Sequence, residues 1–269
     1  MILHLRILLI HVFILLFTFT SEAQVDDICA LPNTSFQDGE YLKYKLYYNL
    51  GFIWIPAGEV TFNLSESDST YDATITGRSY GSYDNIFKVR DEFYTSIDKG
   101  TMQPINFLRK VEEGDHRRYD SLSFDYDNQL IYSLNGDSIE VAKKDTFPLL
   151  NCAQNLVSIM YNLRNIPLDK YGRGDSIRGN IFFDKEYSPI TIAYLKKEKK
   201  KVKGIGKFQT VKVRPKVIIG SVFKEDDVMN IWVSDDENKI PLLIESPILI
   251  GKVKAILSEY KGLKYPLTN

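Results

Sequence analysis

Histidine is nearly missing from this chain of 269 residues, which has only His4, His11 and His116. The first two fall in an N-terminal leader, so the mature chain keeps His116 alone. Histidine-rich metal centres are thereby excluded, and a zinc site would have to join His116 to carboxylates or to both cysteines at spacings unlike the usual ligand clusters. A Ser-His-Asp or Cys-His arrangement would have to draw His116 from Asp115-His116-Arg117-Arg118, a charged hairpin entry with little to orient a base. A Walker-type phosphate loop is also lacking, and Gly204-Ile205-Gly206 has neither the third glycine nor the strand-to-helix setting of a dinucleotide fingerprint. A hairpin turn accounts for it. Excess charge of one sign is absent as well: 34 Lys and Arg stand against 35 Asp and Glu. No global field exists to draw in nucleic acid or an anionic membrane. The expectation is no metal, no cofactor and no nucleic-acid partner.

Apolar runs long enough to span a bilayer, about 20 residues, are not found at the N-terminus either. Arg6 precedes an apolar stretch from Ile7 to Phe19, interrupted by His11 and Thr18, and Ser21-Glu22-Ala23 then puts small residues at the −3 and −1 positions before Gln24. This is the pattern of a cleaved signal peptide, residues 1–23. An uncleaved anchor is the competing reading, and the shortness of the stretch counts against it. Lipidation at Cys29 fits poorly, because Asp26-Asp27-Ile28 replaces the small apolar residues of a lipoprotein cleavage site. The mature remainder, 24–269, reads as a single β-rich domain, exported to the periplasm or the outer membrane, with no transmembrane segment.

Cysteine is scarce too: Cys29 and Cys152 are the only two. An even count in an oxidising compartment favours one bridge between them, with two separate buried thiols as the alternative. Such a bridge closes a loop of over a hundred residues, for which chain entropy gives roughly 4–5 kcal/mol as an upper figure.

What the sequence has in quantity is two-residue alternation. Leu42, Tyr44, Leu46 and Tyr48 alternate with Lys43, Lys45 and Tyr47, and Val60, Phe62 and Leu64 repeat the pattern. Further strands are predicted over 88–97, 105–111, 117–126, 129–134, 138–142, 176–184, 190–196, 208–215, 228–233, 242–246 and 252–260. Lys99-Gly100, Glu113-Gly114, Asp127-Asn128 and Asn135-Gly136 separate several of them, the last pair having the chemistry of a tight hairpin. Hairpin connections imply an antiparallel meander, since parallel strands would need intervening helices. The fold expected is mainly β, a strongly curved antiparallel sheet or partly open barrel. One helix is predicted, from about Asn151 to Arg164, where Ala153, Leu156, Val157, Met160 and Leu163 fall at helical spacing ahead of Pro167.

Carboxylate chemistry survives the elimination above, because glycoside hydrolysis needs only two acids at the correct separation. Asp91, Glu92 and Asp98, near Tyr94, are the candidates; ion pairing with Arg90, Arg109 or Arg117 is their plainer role. The run from Lys196 to Lys203 reads as a solvated hairpin tip that resists aggregation, with an anionic glycan or lipid head group as the sharper alternative. Trp54 sits in an apolar connection, Phe52-Ile53-Trp54-Ile55, before Pro56, and Pro56 cannot donate to a central ladder. That segment is expected to be a sheet-edge loop that caps the core or lines the mouth of an apolar cavity. Trp232 is expected in the core or barrel wall. Phe52, Trp54, Tyr44 and Trp232 are the candidate ligand contacts, and no residue is assigned a catalytic role.

Several segments together resemble the "domain of unknown function 3108" family. They are Gly39-Glu40 with the Tyr-rich strand, Trp54 with Ala57-Gly58-Glu59, Phe87-Lys88-Val89-Arg90-Asp91, Ile231 to Asp236 through Ile240-Pro241, and Gly251 to Ala255 with Tyr260-Lys261-Gly262. The resemblance runs from about Gly39 to Leu263, and the paired cysteines are similar to members from Bacteroidetes. It implies a curved, partly open antiparallel barrel of the YmcC-like or lipoprotein-carrier kind, and it implies no established activity and no catalytic residue. The function expected is that of an envelope binding or assembly factor, its sheet enclosing an apolar groove for a lipid, lipoprotein or glycan. A carboxylate-dependent hydrolase of envelope polysaccharide and a partner-docking platform are the alternatives; the oligomeric state stays open.

Overall fold

The computed structural model describes residues 25–29, 31–50, 52–217, 228–247 and 251–268, so the proposed leader lies outside the described residues. The chain forms two successive antiparallel meanders. The first comprises β2 (Tyr41–Leu50), β3 (Ile53–Glu66), β4 (Thr70–Ser79), β5 (Arg90–Asp98), β6 (Pro104–Glu113), β7 (His116–Asp125), β8 (Leu130–Gly136) and β9 (Lys143–Pro148). The second comprises β11 (Ser176–Phe183), β12 (Glu186–Val202), β13 (Gly206–Val217), β14 (Asn230–Ser234), β15 (Pro241–Pro247) and β16 (Lys252–Lys261). Pairing of β2 with β16, from Tyr41 opposite Lys261 to Tyr48 opposite Val253, joins them into one curved sheet. Two short strands, β1 (Val25–Asp27) and β10 (Ala153–Gln154), add to β11 in parallel. A short helix α1 (Asp84–Phe87) links β4 to β5, and α2 (Ser158–Arg164) lies in the crossover between the meanders.

The backbone ladder does not close between β9 and β11; side chains bridge that seam. The two-residue turn between β11 and β12, Asp184-Lys185, has both residues at positive φ, +48° and +69°. Its side chains reach across: Asp184 to Arg109 at 2.6 Å and to Arg118 at 3.3 Å, Lys185 to Asp145 at 2.6 Å. Phe147 packs on Phe182 below, and the Tyr187 hydroxyl donates to the Pro148 carbonyl while accepting the Leu150 N–H.

The interior is filled. Phe36, Leu64, Ile97, Met102, Phe107, Ile131, Val157, Tyr161 and Phe182 form one core, and Ile28, Ile159, Ile181, Ile192 and Val211 belong to a second. Helix α2 and the segment ahead of β2 act as a plug, held by a buried ion pair. Arg164 grips both Glu40 oxygens at 2.5 and 2.7 Å and donates to the Asn238 and Ser35 carbonyls. The disulfide Cys29–Cys152 ties the N-terminal segment to this crossover, with Cα atoms 5.2 Å apart.

Most strand predictions coincide with observed strands, and the departures have identifiable causes. The helix starts at Ser158 rather than near Asn151: Ala153-Gln154 pairs with β11 instead, and the Asn155 side chain accepts the Val157 and Ser158 N–H groups, setting the first turn there. Cys152 therefore precedes the helix by six residues. Asn135-Gly136 is not the hairpin turn, and 138–142 is not a strand. Gly136 pairs with Tyr119, a Cβ there would meet the Ala142 backbone, and the Asn135 carboxamide binds Asp120. Both residues stay in the ladder, and a helical turn at Ile139–Val141 makes the connection to β9. Pro56 lies within β3, not in a loop. It pairs with Tyr47 of β2, and the pairing of β3 with β4 ends at Gly58 opposite Ser79, so on the β4 side its missing N–H breaks no ladder. Gly58, at that end, has no room for a Cβ because the Arg78 carbonyl fills the place.

Candidate functional site: an apolar rim and a groove at Trp54

Because the strands alternate in direction, the connections β2–β3, β4–β5, β6–β7, β8–β9, β11–β12, β13–β14 and β15–β16 share one rim of the barrel. Twelve large apolar side chains are exposed among the described residues, and seven belong to this rim: Phe52, Ile53, Ile86, Phe87, Ile139, Val141 and Val228. Phe52 is 104% exposed and Ile86 81%, so both stand clear of the core. Ion pairs lie just behind the tips: Lys88–Glu112, Arg117–Glu112, Arg90–Asp84, Lys185–Asp145 and Lys254–Glu245. The rim therefore has an apolar crest over a layer of balanced charge.

Beside this crest runs a groove of about 410 Å³, lined by Trp54, Val228, Asn230, Glu245, Ser246, Pro247, Lys252 and Lys254. Register assigns its face. Lys254 opposes Tyr47 and Glu245, whereas Ala255 and Leu257 oppose Leu46 and Tyr44, whose face includes the buried Tyr44 and Leu257. The groove thus lies on the outer surface. Lys254 Nζ sits 4.1 Å from the Trp54 ring centre and 3.2 Å from Glu245. A second cleft of about 420 Å³ borders the disulfide, between Cys152, Arg178 and Thr191.

The four candidate ligand residues are not brought together. Phe52 and Trp54 share the β2–β3 hairpin end at the rim. Tyr44 is buried, its hydroxyl donating to the Pro241 carbonyl; burial pushes that phenol well above its ordinary range, with Glu40 adding to the push against the opposing Arg164 charge. Trp232 is buried on the outer face, its Nε1–H donating to Glu198 at 2.6 Å beneath Lys200 and Lys212. The interior around Tyr44 is packed by Leu42, Phe62 and Leu257, so the expected enclosed apolar groove gives way to a filled core among the described residues.

The acids do not converge either. Asp98 accepts the Thr101 N–H at the opposite rim, and Glu92 stands 4.0 Å from Lys110. Arg90, Arg109 and Arg117, the expected partners, bind Asp84, Asp120 with Asp184, and Glu112 instead. Tyr94 donates to Asp72. Asp91 alone is strongly perturbed: burial pushes its carboxyl up to about 6, the neighbouring Glu113 carboxylate adds to the rise, and the Glu112 N–H works against it. The Asp91 carboxylate accepts the Glu112 N–H at 3.2 Å. No group of three or more potential metal-ligating side chains occurs among the described residues.

Residues 43–258 match the protein family of unknown function DUF3108. The chain belongs to the DUF3108 family. The fold of this DUF3108 protein is similar to that of a β-barrel-like DUF1849 protein from Brucella abortus, at 12% identity and a TM-score of 0.59, over 86% of this chain and all of the other. A Bacteroides fragilis protein with a YmcC-like fold, provisionally described as exported, aligns over 87% of this chain and all of its own at 10% identity, with a TM-score of 0.31. No curated protein matches. Among the described residues no helix is long and apolar enough to cross a membrane. Two motif glycines of the DUF3108 resemblance acquire a reason here: Gly58 admits the Arg78 carbonyl, and Gly262, at φ +62°, lets the C-terminal segment close against the Gly39 backbone.

Sequence reasoning missed the rim. The signal was present as apolar residues at strand connections, Ile86-Phe87 and Ile139 with Val141, where turn-forming polar residues are the rule.

Proposed function

We propose that this protein is an exported, non-catalytic binding factor of the bacterial cell envelope that seats on a lipid surface through its apolar rim. The observation that carries the reading is the concentration of Phe52, Ile53, Ile86, Phe87, Ile139, Val141 and Val228 at one end of a barrel whose interior is already filled. The tips come from separate hairpins and form a crest, which suits a surface better than a single inserted peptide. Balanced ion pairs behind them complement zwitterionic head groups, where a purely cationic layer would call for anionic ones. The leader-like N-terminus supports export, and the single mature histidine supports a role without acid–base chemistry.

Burying even half of Phe52, Ile53, Ile86 and Phe87 contributes on the order of 4 kcal/mol before ordering costs are subtracted. Co-sedimentation with phosphatidylethanolamine–phosphatidylglycerol vesicles tests this. The wild-type chain is expected to partition into the pellet, and Phe52→Ser with Ile86→Ser to lower the partition coefficient at least about tenfold while unfolding at the same temperature. A folded double variant that pellets like the wild type, or a wild-type chain that stays in the supernatant, overturns it.

A further inference from the structure

We infer that the two-stranded ribbon at the far end of β12 and β13 is a binding site for a linear anionic polysaccharide. Charge is divided unevenly between the meanders: 17 Asp and Glu stand against 12 Lys and Arg over 41–148, but 11 against 17 over 176–261. Ten of those basic residues fall between Lys196 and Lys216, where Glu198 is the only acid. The fold lifts many of them off the barrel. β11 pairs with β12 only as far as Ala193, and β14 with β13 only as far as Thr210, so from Lys199 to Gln209 the hairpin runs on as two strands.

One face of this ribbon is anchored and the other is open. Val202 and Phe208 are buried in one cluster with Ile240 and Leu242, and Lys200 Nζ lies 3.7 Å from the Trp232 ring centre. On the opposite face Lys199, Lys201, Lys207 and Gln209 are all exposed. Lys201 stands directly across from Lys207, and like charges so placed are destabilising unless an anion lies against both. Lys196 and Lys197 are engaged by Glu198 and Asp235, whereas Lys199, Lys201, Lys203 and Lys207 form no ion pair among the described residues. Same-face neighbours along a strand are about 6.5 Å apart. A row of cations on an anchored backbone suits a charged polymer better than one small anion.

The chemistry of the row selects the polymer. A protein partner needs an apolar centre to its interface, and this face has none. Nucleic acid calls for rings on which bases stack and for the planar forks of arginine. Here Lys200 and Lys212 cover Trp232, Lys203 stands 5.7 Å from the Tyr47 ring centre, and Arg214 is the one arginine among the ten. A lipid surface meets the crest, and the β12–β13 turn lies at the opposite end of the barrel. Carboxylate- or sulfate-bearing sugar chains need spaced point charges and hydrogen-bond partners for hydroxyls, which the lysine ammoniums and the Gln209 carboxamide supply. The inference stands apart from the rim: loss of vesicle binding leaves it intact.

Fluorescence anisotropy of labelled polygalacturonate with the full mature chain is the test, with dextran, polyglutamate, poly-dT and phosphatidylglycerol vesicles as competitors. The vesicles are used on the Phe52→Ser, Ile86→Ser background, so that the crest does not contribute. Binding is expected at about 50 mM salt, at least about tenfold weaker at about 200 mM, and indifferent to dextran. Lys199→Gln with Lys201→Gln and Lys207→Gln should weaken it at least about tenfold, with the unfolding temperature unchanged or raised. Lys110→Gln with Lys143→Gln and Lys144→Gln removes the same charge from the first meander and should leave binding as it was. No binding at the lower salt overturns the inference, as does an equal loss in both triple variants, which leaves net charge alone as the cause. Polyglutamate, poly-dT or the vesicles competing more strongly than unlabelled polygalacturonate also overturns it, and makes the occupant an acidic peptide, a nucleic acid or an anionic membrane.

Discussion

The two ends of this barrel are built on opposite rules. At the plugged end, Arg164, Glu40, Ser35, Asn238 and Tyr161 are buried together, while Asn162 of the helix donates to the Met102 carbonyl in the β5–β6 connection and Asn155, just ahead of the helix, to the Asn106 carbonyl of β6. At the rim end, Phe52, Ile86, Phe87 and Val141 are left in water while the charges sit in pairs behind them. A protein stabilised evenly would cover apolar tips at both ends; here cohesion is concentrated at one end and exposed surface at the other. The difference predicts that substitutions at the plug register in stability and those at the rim register in association.

Removing one partner of the buried pair is the most direct way to break that contrast. Arg164→Met leaves Glu40 buried without its cation, and urea unfolding is expected to show a loss of roughly 3–5 kcal/mol. A loss near 1 kcal/mol would mean that the plug does not hold the fold. Cys29→Ser with Cys152→Ser releases a bridge between residues 123 apart and is expected to lower stability by roughly 2–4 kcal/mol, measured with and without reductant.

Asp91 tests the rim itself by pH. Its carboxyl is raised in the folded chain to about 6, so the stabilisation is full below its ordinary value near 3.8 and declines as pH rises through about 6. Asp91→Asn should flatten the pH dependence of stability between those values and raise stability at neutral pH by roughly 1–2 kcal/mol, discounted for partial exposure. An unchanged pH profile would remove Asp91 as its source. Asp184→Asn cuts the seam contacts to Arg109 and Arg118, and because Asp184 is partly exposed the expected loss is about 0.5–1 kcal/mol, with faster amide exchange confined to β9 and β11. The smallest effect belongs to the crest: Phe52→Ser and Ile86→Ser should each change stability by no more than about 0.5 kcal/mol, since neither side chain contributes to the core.

The strands were legible because alternation is a local property: Leu42, Tyr44 and Leu46 declare a face whatever lies opposite. Which strands meet across the sheet was not, since β2 finds β16 at the far end of the chain and no short-range pattern encodes that pairing. The helix was legible in kind and misplaced in extent. Gln154, Asn155, Ser158 and Asn162 are polar by sequence and yet buried, so a hydrophobic stripe could not say where a plug begins. Of the candidate ligand residues, Trp54 and Phe52 were visible as an apolar break in a hairpin, whereas Tyr44 and Trp232 look equally aromatic and are taken up by packing.

Tyr41 opposite Lys261 has a kinetic consequence. The strand that starts the first meander waits for the strand that ends the second, so a polypeptide emerging N-terminus first cannot zip its halves together until translation or translocation has delivered the final strand. Until then β2 presents a bare backbone edge, and the nascent molecule has to be kept from pairing with its neighbours.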